Sequence, residues 1–393
     1  WDLKVAEPDS SPRDVEGVYV VDEKKLNDLS DENWLELKNQ GAIPTIYAHL
    51  LSTRNINKLL QGVIDKVFRD RNLAKLDGLA LNPRLLIQVD DRDLTTTVLG
   101  QEISFPVMCA PAGDQCGTHP DGELATAGAA GRAGTLMAVP VGSGYSIEEI
   151  AEAATGPLWF QHIHYNDGVT EEFLPRLKPA GYTAVVLTVD ALGPFPPSGL
   201  MPPARPLDAN VSRKIPDVGK MFGSLRDRPD LLDEHGLVRW EPPNITWDRL
   251  DWLRSLSGDL PLVIKGIRNV EDARQCVERG ADGIVVSNHG GRQVDGGLSS
   301  VEVLPRIAEA AGDRLEVYFD SGIRSGLDVF RVMALGARAV FVGRPIHWGL
   351  AYAGEDGVLR ALEILRGEFD RVLAFSGCTS VREIGRQHIM AAG

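Results

Sequence analysis

From residue 105 onward the chain repeats one unit eight times: a short apolar run closed by Gly, Asp or Asn, followed in most cases by a segment of helical length. The runs occupy residues 105–111, 135–140, 158–163, 184–190, 260–265, 283–287, 315–320 and 339–343. Helix-sized segments lie between most of them, at 119–133, 146–154, 171–180, 270–280, 301–311 and 326–335. A continuously apolar strand is buried on both faces, as in a parallel sheet covered by helices, and eight such repeats are the number that closes a barrel. The expected fold is therefore α/β, a (β/α)8 TIM barrel. On pattern alone, the competing arrangement is an open doubly wound sheet.

Residues 1–80 are charged, with apolar residues at helical spacing around 30–40 and 55–79, and read as an N-terminal helical cap. Residues 81–393 then make the barrel with its C-terminal helices. One connection is out of scale. Between residues 192 and 243 a long loop separates the fourth strand from its helix, and it opens with the Pro- and Gly-rich stretch GPFPPSGLMPPARP. Long loops of this kind are lids, disordered segments or insertions without a role, and this one leaves the C-terminal end of a strand, where barrel active sites are built.

The charge balance narrows the partners. With 41 basic against 55 acidic residues the chain carries a formal charge of −14, which repels nucleic acid and anionic membrane surfaces at long range. An anionic small-molecule substrate would need a local basic pocket. Cys109, Cys116, Cys276 and Cys378 show neither CxxC nor Cys/His metal spacing, a pattern that fits reduced thiols in a cytoplasmic protein. There is no apolar run of membrane-spanning length and no basic-then-apolar leader at Trp1, so neither a membrane span nor a signal peptide is expected.

The richest stretch in chemistry, Ser287-Asn288-His289-Gly290-Gly291-Arg292-Gln293-Val294-Asp295-Gly296, directly follows the sixth strand. A histidine at a barrel mouth can take a proton near neutral pH, and a neighbouring arginine can fork onto a carboxylate. The plain alternative is a hydrogen-bonded structural loop. Asp320-Ser321-Gly322-Ile323-Arg324 and Phe341-Val342-Gly343-Arg344-Pro345 follow the seventh and eighth strands, where backbone N–H groups, a helix N-terminus and arginines converge on phosphate in many barrels.

These segments, together with VIKG around Lys265 and LTVD ending at Asp190, stand in the order and context of the FMN-dependent 2-hydroxy-acid oxidase and dehydrogenase family, which the chain resembles from about residue 81 to the SGC segment near Ser376. The resemblance implies FMN as cofactor and His289 as the base that accepts the substrate hydroxyl proton (or the α-proton, in a carbanion scheme) while the α-hydrogen passes to flavin N5. It pairs Asp190 with His289, sets Lys265 beside flavin N1 and C2=O, and gives Arg292 to the substrate carboxylate. Gln161, Thr188 and Ser287 match flavin-ring contacts. Asp320, Gly322, Arg324, Gly343 and Arg344 match ribityl and phosphate contacts, and Pro111, Ala112 and Gly113 match the segment beside the ring. The resemblance also implies a homotetramer or larger, and oxygen or another electron acceptor.

The chain leaves the family pattern at the substrate anchors. The two anchoring tyrosine positions fall on Leu50 and Ile163, the arginine expected soon after LTVD is absent until Arg205, and a serine that meets the flavin is Pro140. Tyr47 and Tyr165 lie near enough that a shifted register restores a hydroxyl, and ordinary core packing is the plain reading of Leu50 and Ile163. Lost charge-assisted contacts at about 1.5–3 kcal/mol each argue against glycolate or lactate and for a roomier apolar pocket that takes a bulky or aryl 2-hydroxy acid. His162 and His164 share one face of an extended strand, but with no third ligand no metal is expected. Two other functions compete. One is a repurposed enzyme that dehydrogenates or oxygenates a biosynthetic intermediate without a free carboxylate. The other is a flavin-binding partner protein without turnover.

Overall fold

The computed structural model describes residues 3–5, 13–15, 71–191, 228–231, 239, 245–293 and 297–391. The chain forms two compact units, residues 1–63 and 64–393. In the first, Leu3–Val5 and Arg13–Val15 pair as an antiparallel hairpin. The helix expected at 30–40 and most of that at 55–79 lie outside the described residues, as do Leu50, Tyr47, Arg205 and nearly all of the long loop.

The second unit is a closed parallel barrel. Its strands are β1 (Val107–Cys109), β2 (Met137–Pro140), β3 (Leu158–His162), β4 (Ala184–Thr188), β5 (Leu262–Ile267), β6 (Gly283–Val286), β7 (Glu316–Phe319) and β8 (Ala339–Val342), and β8 pairs back onto β1. Each is followed by a helix: α1 (Gly122–Arg132), α2 (Ile147–Ala153), α3 (Asp167–Leu177), α4 (Leu250–Ser257), α5 (Val270–Glu278), α6 (Ser300–Ala311), α7 (Gly326–Ala334) and α8 (Arg344–Phe375), the last broken by a kink at Ala353 and Gly354. The barrel expected from the repeat is therefore present, and the open sheet is excluded.

Most ends differ by one to three residues from expectation, for local reasons. β1 is cut to three residues between Pro106 and Pro111, which have no N–H for a ladder. α3 starts at Asp167, earlier than expected, because the Asn166 side chain accepts the Val169 N–H at 2.9 Å. Ser146, Ser299 and Ser325 start α2, α6 and α7 with capping boxes completed by Glu149, Glu302 and Asp328. The helix at residues 71–77 stops before Gly78, and Leu79–Leu81 turns into a strand that pairs with Ile389–Ala391.

Side-chain parity along the strands sorts the core from the site. Met108, Ala138, Trp159, Val186, Val263, Val285, Tyr318 and Phe341 fill the barrel interior, with Trp159, Tyr318 and Phe341 meeting edge to face at centroid distances of 5.5–6.2 Å. The hairpin Thr96–Val98 and Gln101–Ile103 adds Val98 and Ile103 to this interior cluster, and Gln101 Oε1 accepts a 3.3 Å hydrogen bond from Trp159 Nε1. Two residues further along each strand, the same inward face carries Gln161, Thr188, Lys265, Ser287 and Asp320 at the C-terminal mouth. His162 has the opposite parity and packs outward against α3.

Candidate active site

The mouth is organised around two charged pairs. His289 Nδ1 lies 2.9 Å from Asp190 Oδ1, and the Lys265 ammonium, almost fully buried, lies 3.1 Å from Asp320 Oδ2 and donates to Ser287 Oγ at 2.9 Å. Burial works against the Asp190 carboxylate, but the hydrogen bond from His289 and the charge of Lys265 outweigh it and hold its pKa below the ordinary value. Burial likewise opposes the Lys265 ammonium, yet Asp320 and Asp190 more than offset it and its pKa is raised. The close approach of β5 to Asp190 requires Gly266: at φ +112 a Cβ there would stand 2.8 Å from the Asp190 side chain.

The segment that carries His289 leaves β6 in a tight left-handed turn. His289, Gly290 and Gly291 all have positive φ, at 58°, 66° and 81°. Ser287 Oγ accepts the His289 N–H at 3.0 Å, Ser321 Oγ the Gly290 N–H at 3.0 Å, and Asn288 Oδ1 the Gly291 N–H at 3.2 Å. Ser321 in turn donates to Asp320 Oδ1 at 2.6 Å, so the seventh-strand loop braces the sixth. Arg344, from the first turn of α8, donates to Gly290 O at 2.8 Å. Arg292 closes the turn and is exposed at the mouth.

On the remaining strands, Gln161 Nε2 donates to Thr188 Oγ1 at 2.8 Å, and Val141 N–H reaches Gln161 Oε1 at 3.3 Å. Pro111 and Ala112 are half-buried after β1 and Gly113 is exposed beside them. Arg324 stacks its guanidinium 5.2 Å from the Trp348 ring centroid, Gly322 has φ +104°, and Gly343 is the N-cap of α8. Ile163 is half-buried and packs against the larger apolar cluster, as does Tyr165, whose hydroxyl burial pushes up to about 12. His162 and His164 both meet Thr170 Oγ1, each at 3.0 Å, and among the described residues no three His, Cys, Asp or Glu side chains are grouped to hold a metal ion.

Asn288 and Ser321 lie inside the SNHGG and DSGIR motifs, but their bracing roles show only in the folded turn. Asn72 carries no signal in the sequence, and its amide meets Asn288 across 216 positions.

This donor set fits FMN. A buried cation with Gln161, Thr188 and Ser287 offers hydrogen bonds to the polar edge of a flavin ring, and Arg324, Arg344 and the α8 N-terminus offer charge and N–H groups to a phosphate. Residues 49–391 match the family model described as FMN-dependent dehydrogenase, and residues 1–59 match a second model, SapC. The chain is 40% identical to an L-lactate oxidase of Nostoc sp. over 348 residues, 85% of this chain and 93% of that one. It is 41% identical to 2-hydroxyacid oxidase 1 of Mus musculus, covering 80% and 86%, and 37% identical to glycolate oxidase of Spinacia oleracea, covering 91% and 96%. A solved mandelate oxidase superposes with a TM-score of 0.70 at 36% identity, covering 82% of this chain and 89% of that one. No helix among the described residues is long and apolar enough to cross a membrane. The chain belongs to the FMN-dependent 2-hydroxy-acid oxidase and dehydrogenase family, and is a (β/α)8 flavin-dependent oxidoreductase.

Proposed function

We propose that the protein oxidises a bulky or aryl 2-hydroxy acid to the 2-oxo acid, with His289 as the base. The observation that carries this reading is the 2.9 Å contact between His289 Nδ1 and Asp190, which fixes the ring and leaves Nε2 for the substrate hydroxyl proton. Asp190 then stabilises the imidazolium that forms. Arg292 takes the substrate carboxylate through its planar fork. FMN, when bound, supplies at N5 the two-electron acceptor for the substrate's α-hydrogen. Lys265 would hold the N1 and C2=O edge of that ring and Arg324 and Arg344 its phosphate, with oxygen or another acceptor taking the electrons onward.

Size preference rests on Leu50 and Ile163, which stand where the family pattern has anchoring tyrosines, and on the compact Gly113. The test is anaerobic bleaching of the flavin absorbance by 2-hydroxy acids graded from glycolate to mandelate and larger, repeated with His289→Ala. Bleaching by the bulky acids, lost in His289→Ala with FMN still bound, is expected. Undiminished bleaching in that variant removes His289 as base. The same apolar anchors favour a second reading, a substrate without a free carboxylate. Bleaching by methyl mandelate but by none of the acids would select it.

A further inference from the structure

We propose that Asn72 is a positioning residue for the base, acting on His289 through Asn288; this rests on the reading of His289 as that base. His289 is a non-glycine residue in left-handed backbone, at φ 58°, and such a conformation persists only where its surroundings hold it. Two of the clamps on this turn, Ser287 and Ser321, are hydroxyls from the ends of barrel strands, and Arg344 holds Gly290 O from α8. Asn288 adds another, its backbone carbonyl and its side-chain Oδ1 both accepting the Gly291 N–H, at 3.0 and 3.2 Å.

Asn288 is itself fixed by one partner outside the barrel. Asn72 Nδ2 donates to Asn288 Oδ1 at 2.9 Å and Asn288 Nδ2 donates to Asn72 Oδ1 at 2.9 Å, a closed amide pair in which both side chains are buried. The pair satisfies one donor and one acceptor on each amide without water, so neither side chain rotates without leaving buried polar atoms unpaired. The helix bearing Asn72 is anchored nearby: Arg71 makes a two-pronged contact with Glu302 at the start of α6, at 2.8 and 2.9 Å, and Leu76 packs in the core. The helix thereby sets the Asn288 amide, the amide braces the turn, and the turn aims His289 at Asp190.

The test uses the FMN-loaded protein and the 2-hydroxy acid that bleaches the wild type fastest in the graded series. Because small misplacements of a reacting group cost up to about a hundredfold, Asn72→Ala should slow flavin reduction by about ten- to a hundredfold, with the half-saturating acid concentration changed less than about threefold. In an Asn288→Ala background, Asn72→Ala should add no further loss. Hydrogen exchange read by mass spectrometry across residues 287–291 should accelerate in Asn72→Ala, a readout that needs no substrate. Should the alanine variant fail to fold, Asn72→Asp keeps the volume and one acceptor and is expected to be slowed as well. Reduction at the wild-type rate, losses that multiply in the double variant, or unchanged exchange across the turn would each overturn the inference. His289→Ala runs alongside: if it still reduces flavin normally the base reading fails, whereas if it is dead and Asn72→Ala is unimpaired only the positioning role fails.

Discussion

Asp190 and His289, 99 positions apart in sequence, meet through Oδ1 and Nδ1 at 2.9 Å, and Asp190 is the more deeply buried of the two. A carboxylate held ionised against one imidazole nitrogen fixes the tautomer and the orientation of the ring.

Replacing Asp190 with Asn keeps the shape but removes the charge that would stabilise His289 once it has taken a proton. Losing a charge-assisted contact of this kind should slow flavin reduction by roughly one to two orders of magnitude while FMN remains bound. Anaerobic stopped-flow absorbance checks this, and a rate within about twofold of wild type would sever Asp190 from the chemistry.

Lys265 sits in a different balance. Its ammonium neutralises Asp320, buried beside it at 3.1 Å, so Lys265→Met leaves a carboxylate without its cation. Breaking one side of such a pair costs about 3–5 kcal/mol. Urea unfolding should show that loss, and Lys265→Met/Asp320→Asn should recover much of it without recovering flavin reduction. Recovery of both would mean that the lysine serves the fold alone.

The structure sets Gln161, Thr188, Lys265, Ser287 and Asp320 on the inward face at the mouth, two residues beyond Trp159, Val186, Val263, Val285 and Tyr318, a face that continuously apolar strands do not show in the sequence. The outline of the site was legible because VIKG, LTVD, SNHGGRQVDG and DSGIR stand in the order of the family the chain resembles. The bracing was not. Ser321 and Asn72 act through contacts between separate loops and helices, at sequence distances over which neither periodicity nor motif spacing carries information. The end of the helix at residue 77 was equally hidden, since Leu79–Leu81 becomes a strand only because Ile389–Ala391 lies beside it.

Ile163 tests the size preference. Ile163→Tyr would restore a hydroxyl and fill apolar space, so turnover of glycolate relative to mandelate should rise, by about tenfold or more if one charge-assisted contact is regained. Steady-state kcat/KM for the two acids measures it. An unchanged ratio would show that Ile163 packs in the wall without touching substrate.

His162 makes a prediction about pH. Burial, reinforced by the neighbouring His164, drives its pKa from 6.5 down to about 3, so the folded state excludes a proton that the unfolded chain binds. A group whose folded pKa is depressed contributes stability that is complete above the unfolded pKa and lost as pH falls toward the folded one, here between 6.5 and about 3. At pH 5 the loss from this one ring is roughly 2 kcal/mol relative to neutral pH. His162→Leu keeps the outward-facing position apolar and removes the titration, at the expense of the contact with Thr170. Its unfolding free energy should therefore fall less than that of the wild type between pH 7.5 and pH 5, by about that amount. Parallel slopes for the two proteins would mean that His162 accepts a proton in place, with Thr170 and His164 rearranged around it.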